Sequence, residues 1–163
     1  MKLNKSFRHN VAYGGVVVLL VFFRTVPRRA GILLARMLAL VFYAVSGFHR
    51  KNTIHHLTMA FGREKSEKEI HWIARHVFLH FATVTVDAIR IPIHLKRGID
   101  RYITASNIQY LDAACRSGKG YLLLGGHFGN WELMGAWIAQ KGYKPHAVGA
   151  ALYNPKLNQL MVQ

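Results

Sequence analysis

Apolar and polar positions along the chain fall into blocks of different period, and each block predicts a different element. Val11 to Phe23 is an almost unbroken apolar run of thirteen residues. As a helix it would span about 20 Å, short of the ~30 Å hydrocarbon core of a bilayer. Ala30 to Phe48 is a second run, of nineteen residues, interrupted by Arg36. The basic turn Arg24-Thr25-Val26-Pro27-Arg28-Arg29 separates the two. Further on, Ser66-Glu67-Lys68-Glu69 is a capping box, after which Ile70, Ile73, Ala74, Val77, Phe78, Phe81, Val84, Thr85 and Ala88 recur at helical spacing until Pro92. This predicts a long amphipathic helix over about Glu67 to Arg90.

Beyond Pro92 the period changes. A loop and a short strand near Arg101 to Ala105 are expected, then a helix from about Ile108 to Ser117. Gly118-Lys119-Gly120 leads into Tyr121-Leu122-Leu123-Leu124, a short apolar run between glycines that reads as a buried parallel strand. Asn130 is placed to cap a helix from Trp131 to about Lys141, with Gly142 ending it in the left-handed region. His146 to Ala150 reads as another strand. The β-α-β alternation predicts an α/β fold with a mostly parallel sheet and helices on its faces. Two regions follow: residues 1–50 as hydrophobic membrane-associating helices and residues 51–163 as the first part of an α/β domain.

Composition points to an anionic partner. Hydrophobic residues make up 52% of the 163 positions, yet the formal net charge is +15. Anionic lipid head groups, a phosphorylated glycolipid, acidic acyl carrier protein or nucleic acid would each suit such a balance. Nucleic acid is set aside because there is no zinc-finger spacing, no Lys/Arg-rich tract and no RNP-type aromatic strand. Lys2, Lys5 and Arg8 ahead of an apolar run imitate a secretory signal, but no small-x-small cleavage site follows Phe23, so the segment reads as an uncleaved anchor. Positive charge at every end favours helices lying in or dipping into the cytoplasmic leaflet. The competing reading is a buried helical hairpin of a soluble domain. Cys115, the lone cysteine, rules out an intramolecular disulfide and reads by default as a buried structural thiol.

The candidate chemistry lies at Gly125-Gly126-His127-Phe128-Gly129-Asn130-Trp131-Glu132. His127 precedes the expected helix and Glu132 falls in its first turn. In a continuous helix, residues five apart diverge by about 140° and could not share a proton; in a bent loop they can. A neutral imidazole can take the proton of an attacking hydroxyl while a carboxylate holds its other nitrogen, which suits acyl transfer without an enzyme nucleophile. Gly125, Gly126 and Gly129 clear side chains from the approach, and free N–H groups at the helix start favour an oxyanion or phosphate. The plain alternative is a Gly-rich turn whose His and Glu bond locally. Elsewhere, His76 and His80 stand four apart, but Asp87 lies seven residues further, about 10.5 Å along the axis, too far to complete a metal site. No P-loop or dinucleotide fingerprint occurs, so neither metal nor cofactor is expected.

The segment from Gly118 to Leu133, with its His-Phe-Gly-Asn-Trp-Glu core, resembles the H-x-x-x-x-[DE] motif region of the bacterial lipid A biosynthesis (late) acyltransferases, a branch of the lysophospholipid acyltransferase superfamily. The stretch Arg50 to Leu57 with Met59-Ala60-Phe61, and Asn154-Pro155-Lys156-Leu157-Asn158, are also similar to that family. The resemblance implies transfer of a fatty acyl chain from acyl carrier protein, or coenzyme A, to a hydroxyl of a lipid A precursor or related glycolipid at the cytoplasmic face of the inner membrane. It implies His127 as base and Glu132 as its partner. Gly129 and Asn130 are read as backbone donors and Asn154 as the rim of the acceptor groove. Family members are longer, so further elements are expected beyond Gln163. The alternatives are an inactive, basic membrane-binding fragment, or an acyltransferase acting on a lysophospholipid or another glycolipid.

Overall fold

A computed structural model describes residues 4–162, which leaves Lys2 of the basic N-terminal group outside the described residues. Eight helices and one 3-10 turn make up its regular structure: α1 (Lys5–Thr25), α2 (Arg28–Val45), α3 (Gly47–Phe61), α4 (Glu67–Ile89), α5 (Ile91–Arg97), the turn Ile99–Arg101, α6 (Ile108–Arg116), α7 (Trp131–Gln140) and α8 (Pro155–Val162). No strand occurs among the described residues, and the expected α/β architecture with a parallel sheet is corrected to an all-helical one.

The correction has a physical cause. A strand exists only if a neighbour takes up its N–H and C=O groups. The three segments expected to pair, around 101–105, 121–124 and 146–150, form no bridge with one another. Leu122 and Leu124 are left 92% and 94% exposed. An apolar run between glycines matched the composition of a buried strand, but its three leucines are left more than half exposed.

Helix ends follow local chemistry closely. The Asn4 side chain accepts the Ser6 N–H at 3.2 Å to open α1. Val26, held extended by the following Pro27, closes it. The apolar run Val11 to Phe23 thus sits inside a helix of 21 residues, about 31 Å long. This helix is long and apolar enough to cross a membrane over Ser6–Thr25. The second run divides instead, with α2 and α3 meeting at 90°. At α4 both halves of the capping box form: the Glu69 N–H donates to Ser66 Oγ at 3.4 Å, and the Ser66 N–H donates to Glu69 Oε2 at 2.9 Å. Pro92 does not begin a loop. It sits in the first turn of α5, where no N–H is required, and the chain merely bends by 62°.

Packing divides into two parts joined by α4. The helices α2 and α3 lie against α4, and α1 reaches both α4 and α8. Gly31 lets α2 close on its neighbours, since a Cβ there would meet Phe23 and Val26 at 3.4 Å and Val86 at 3.7 Å. Beyond α4, Ile99, Leu133, Trp137 and Ile138 form a small buried core, supported by Ile91, Leu95 and Ile108. This core fixes α7, and with it the loop that carries the candidate chemistry.

Candidate active site

Asn130 opens α7 as the sequence suggests, its Oδ1 accepting the Leu133 N–H at 3.1 Å. Gly142 follows the helix at φ 89°, a left-handed conformation that a side chain would strain. Between Gly125 and Asn130 the chain turns tightly: the Phe128 N–H donates to the Gly126 carbonyl at 2.7 Å, and Gly129 takes φ 63°. These bends lift His127 and Phe128 into solvent ahead of the helix N-terminus, while Leu133, Trp137 and Ile138 bury the opposite face of α7.

His127 and Glu132 are both exposed and both touch Trp131. The His127 ring lies 4.7 Å from the Trp131 ring, and the Trp131 indole N–H donates to Glu132 Oε1 at 3.1 Å. No hydrogen bond or ion pair joins His127 directly to Glu132 among the described residues. The indole therefore bridges the imidazole and the carboxylate. Gly129 and Asn130 stand at the same corner, half-buried, with α7's first N–H groups beside them.

Asn154 sits elsewhere. It is buried against α1, its Nδ2 donating to the His9 carbonyl at 3.0 Å and its Oδ1 accepting the Lys156 N–H at 3.1 Å to cap α8. With Arg8, His9, Leu152 and Tyr153 it lines a cavity of about 540 Å³ between α1 and α8. Cys115 is exposed rather than buried, because α6 lies on the surface with no fully buried side chain. It borders a cavity of about 590 Å³ with Asp112, Tyr121 and Tyr143. In that wall the Tyr143 hydroxyl donates to Asp112, and the bond holds its pKa up at about 12. On α4, His76 Nδ1 lies 2.8 Å from the Trp72 carbonyl and its ring stacks on Trp72 at 3.8 Å.

The polar cluster that the sequence reading missed surrounds Asp87. Its carboxylate accepts two hydrogen bonds at 2.7 Å from Arg28 Nε and Nη2, and His94 Nε2 lies 3.4 Å away. Arg90, also buried, donates to the Val26 carbonyl at 2.7 Å and to the Phe23 carbonyl, satisfying the end of α1. The hydrogen bond to Asp87 raises the Arg28 pKa further above its ordinary value. Burial dominates at His94, lowering its pKa despite the neighbouring carboxylate. A signal was present: Asp87, Arg90 and His94 are spaced three and four apart at the end of an otherwise apolar helical pattern. Charges on that face require partners from elsewhere.

The sequence model of one family, bacterial lipid A biosynthesis acyltransferase, matches residues 1–163. Comparisons with curated proteins and with solved structures give no match. A match over the whole chain, together with the His-to-Glu motif at the start of α7, shows that this chain belongs to the bacterial lipid A biosynthesis acyltransferase family.

Proposed function

We propose that the chain is a membrane-associated O-acyltransferase that moves a fatty acyl group from a thioester, on acyl carrier protein or coenzyme A, to a hydroxyl of a lipid A precursor or related glycolipid. The family supports acyl transfer in general. The observation that carries the finer reading is the corner before α7, where an exposed imidazole and an exposed carboxylate flank one indole. In the reaction, His127 takes the proton from the acceptor hydroxyl as its oxygen attacks the thioester carbon. A shift of the Trp131 ring frees Glu132 to accept from the other imidazole nitrogen, which stabilises the imidazolium. The collapsing intermediate expels the thiolate, and the imidazolium returns the proton to it. In this reading the Gly129 and Asn130 N–H groups, at the positive end of α7, stabilise the oxyanion. Asn154 belongs to this reading as part of the wall of the cavity between α1 and α8, taken as the rim for the lipid acceptor. The helix α1 would hold the site at the cytoplasmic face of the inner membrane.

The test is turnover of an acyl thioester with a phosphorylated glycolipid acceptor in detergent. His127→Ala should lower kcat by about 10² to 10⁴ with little change in acceptor KM, and Glu132→Gln should cost less because the base remains. Near-normal turnover by His127→Ala would refute the mechanism. Membrane binding with no turnover by the unaltered chain would favour the reading as a basic membrane-binding fragment.

A further inference from the structure

A second site lies away from the motif corner. The helix α2 contains three arginines and no acidic residue. Arg29, Leu33, Arg36 and Met37 share one of its faces at spacings of three and four, and Arg75 and Leu79 of α4 close the other side. Together they border an open groove of about 470 Å³ with an apolar floor and an arginine rim. Arg29 and Arg36 stand two turns apart, about 10.5 Å along the axis. Among the described residues neither they nor Arg75 form a hydrogen bond or ion pair, whereas the neighbouring Arg28 is held by Asp87. Leu33 and Met37 are more than half exposed.

We infer that this groove binds one anionic phospholipid of the membrane, its phosphate held by Arg29, Arg36 and Arg75 and an acyl chain laid along Leu33, Met37 and Leu79. Charge complementarity selects the head group: three unpaired guanidinium groups, each able to grip a phosphate by two N–H donors, surround an apolar floor that a free phosphate would leave empty. Position places it in reach of lipid. The groove begins at Arg29, in the first turn of α2 just past the end of α1, a helix long and apolar enough to cross a bilayer, and basic residues at such an end lie at the level of the head groups. The site would fix the rotation of α2 and α4 on the membrane surface. It does not depend on the acyl-transfer reading, and its test uses no turnover.

The full chain, reconstituted with vesicles of phosphatidylcholine containing phosphatidylglycerol that carries a photoreactive diazirine in its acyl chain, should be labelled on α2 and α4 within the groove. Inorganic phosphate should not compete, and short-chain phosphatidylglycerol should. The triple variant R29Q/R36Q/R75Q should lose this labelling and weaken binding by about fivefold per arginine, on the order of 100-fold in all. The charge-keeping variant R29K/R36K/R75K, which keeps the charge but loses the paired N–H donors, should bind more weakly than the unaltered chain and more tightly than the glutamine triple. An equal loss of charge on α5 and α6, K96Q/R97Q/R116Q, should leave the labelling in place. Labelling confined to α1, equal losses in the two glutamine triples, full competition by inorganic phosphate, or self-association of chains through α2 in place of lipid labelling would each overturn the inference.

Discussion

Replacing Asp87 by Asn tests whether the polar cluster, rather than apolar contact alone, fastens the first two helices to α4. The wild-type carboxylate accepts two hydrogen bonds from Arg28 at 2.7 Å and is itself only 10% exposed. Removing one member of a buried pair costs about 3–5 kcal/mol because a charge is left without a partner. Here the Arg28 side chain is 39% exposed. Water can therefore recover part of its solvation, and the carboxamide oxygen keeps one hydrogen bond. Both effects bring the expected loss to about 2 kcal/mol. For a domain of this size that corresponds to a fall in Tm of about 4–8 °C. Thermal unfolding followed by far-UV circular dichroism in a fixed detergent measures it, with Arg28→Gln and the double variant completing a cycle. The two single changes should couple by at least about 1 kcal/mol. A loss below about 0.5 kcal/mol with no coupling would show that the contact contributes nothing, and that Gly31 and its apolar neighbours hold the joint.

Other outcomes follow from the same structure. His94 is 1% exposed, with neither ring nitrogen hydrogen-bonded, and burial lowers its pKa. Its neutral form therefore stabilises the fold fully above the ordinary histidine value of about 6.5, and that contribution fades as pH falls through the interval down to the depressed folded value. Urea midpoints should drop between about pH 7 and 5, and a His94→Gln variant that keeps the same slope would exclude His94 as the cause. Trp137→Ala removes the largest side chain of the small core and its 2.8 Å hydrogen bond to Asp100, and should cost about 3–5 kcal/mol, read as early loss of protection in α7 by hydrogen exchange. The amides of residues 121–126 should exchange at rates close to those of an unstructured chain; protection equal to that of α7 would mean that the segment has a pairing partner after all.

Legibility tracked distance along the chain. The capping box at Ser66, the Asn130 cap, the left-handed Gly142 and the long helix ending near Arg90 were all readable, because each is set by groups within four residues of one another. The motif was readable as well, since Gly125 to Glu132 is continuous. What the sequence did not reveal was that Trp131 lies between the two chemical groups, because rotamers in a bent loop depend on the packing around them. The strands expected at Tyr121 to Leu124 and around 101–105 and 146–150 were wrong for the opposite reason. Apolar composition describes what a strand would bury, but pairing is a non-local event that composition does not supply.

By itself, then, the sequence determined the long helix α4 with its capping box, the helices near 108–116 and 131–140, the basic and apolar character suited to a membrane surface, and the family to which the motif belongs; the break between α2 and α3 and the helices α5 and α8 were not read from it. Tertiary structure decided which charges meet. Asp87 finds Arg28 across 59 residues, and Arg90 reaches the end of α1 across 64 to 67. Arg29, Arg36 and Arg75 converge without any carboxylate partner among the described residues. Helix formation depends on contacts one turn away, so it is written in adjacent residues. The fate of a charge depends on whatever the packing brings within about 4 Å, where desolvation and Coulomb attraction are both largest, and only the folded chain sets that neighbour.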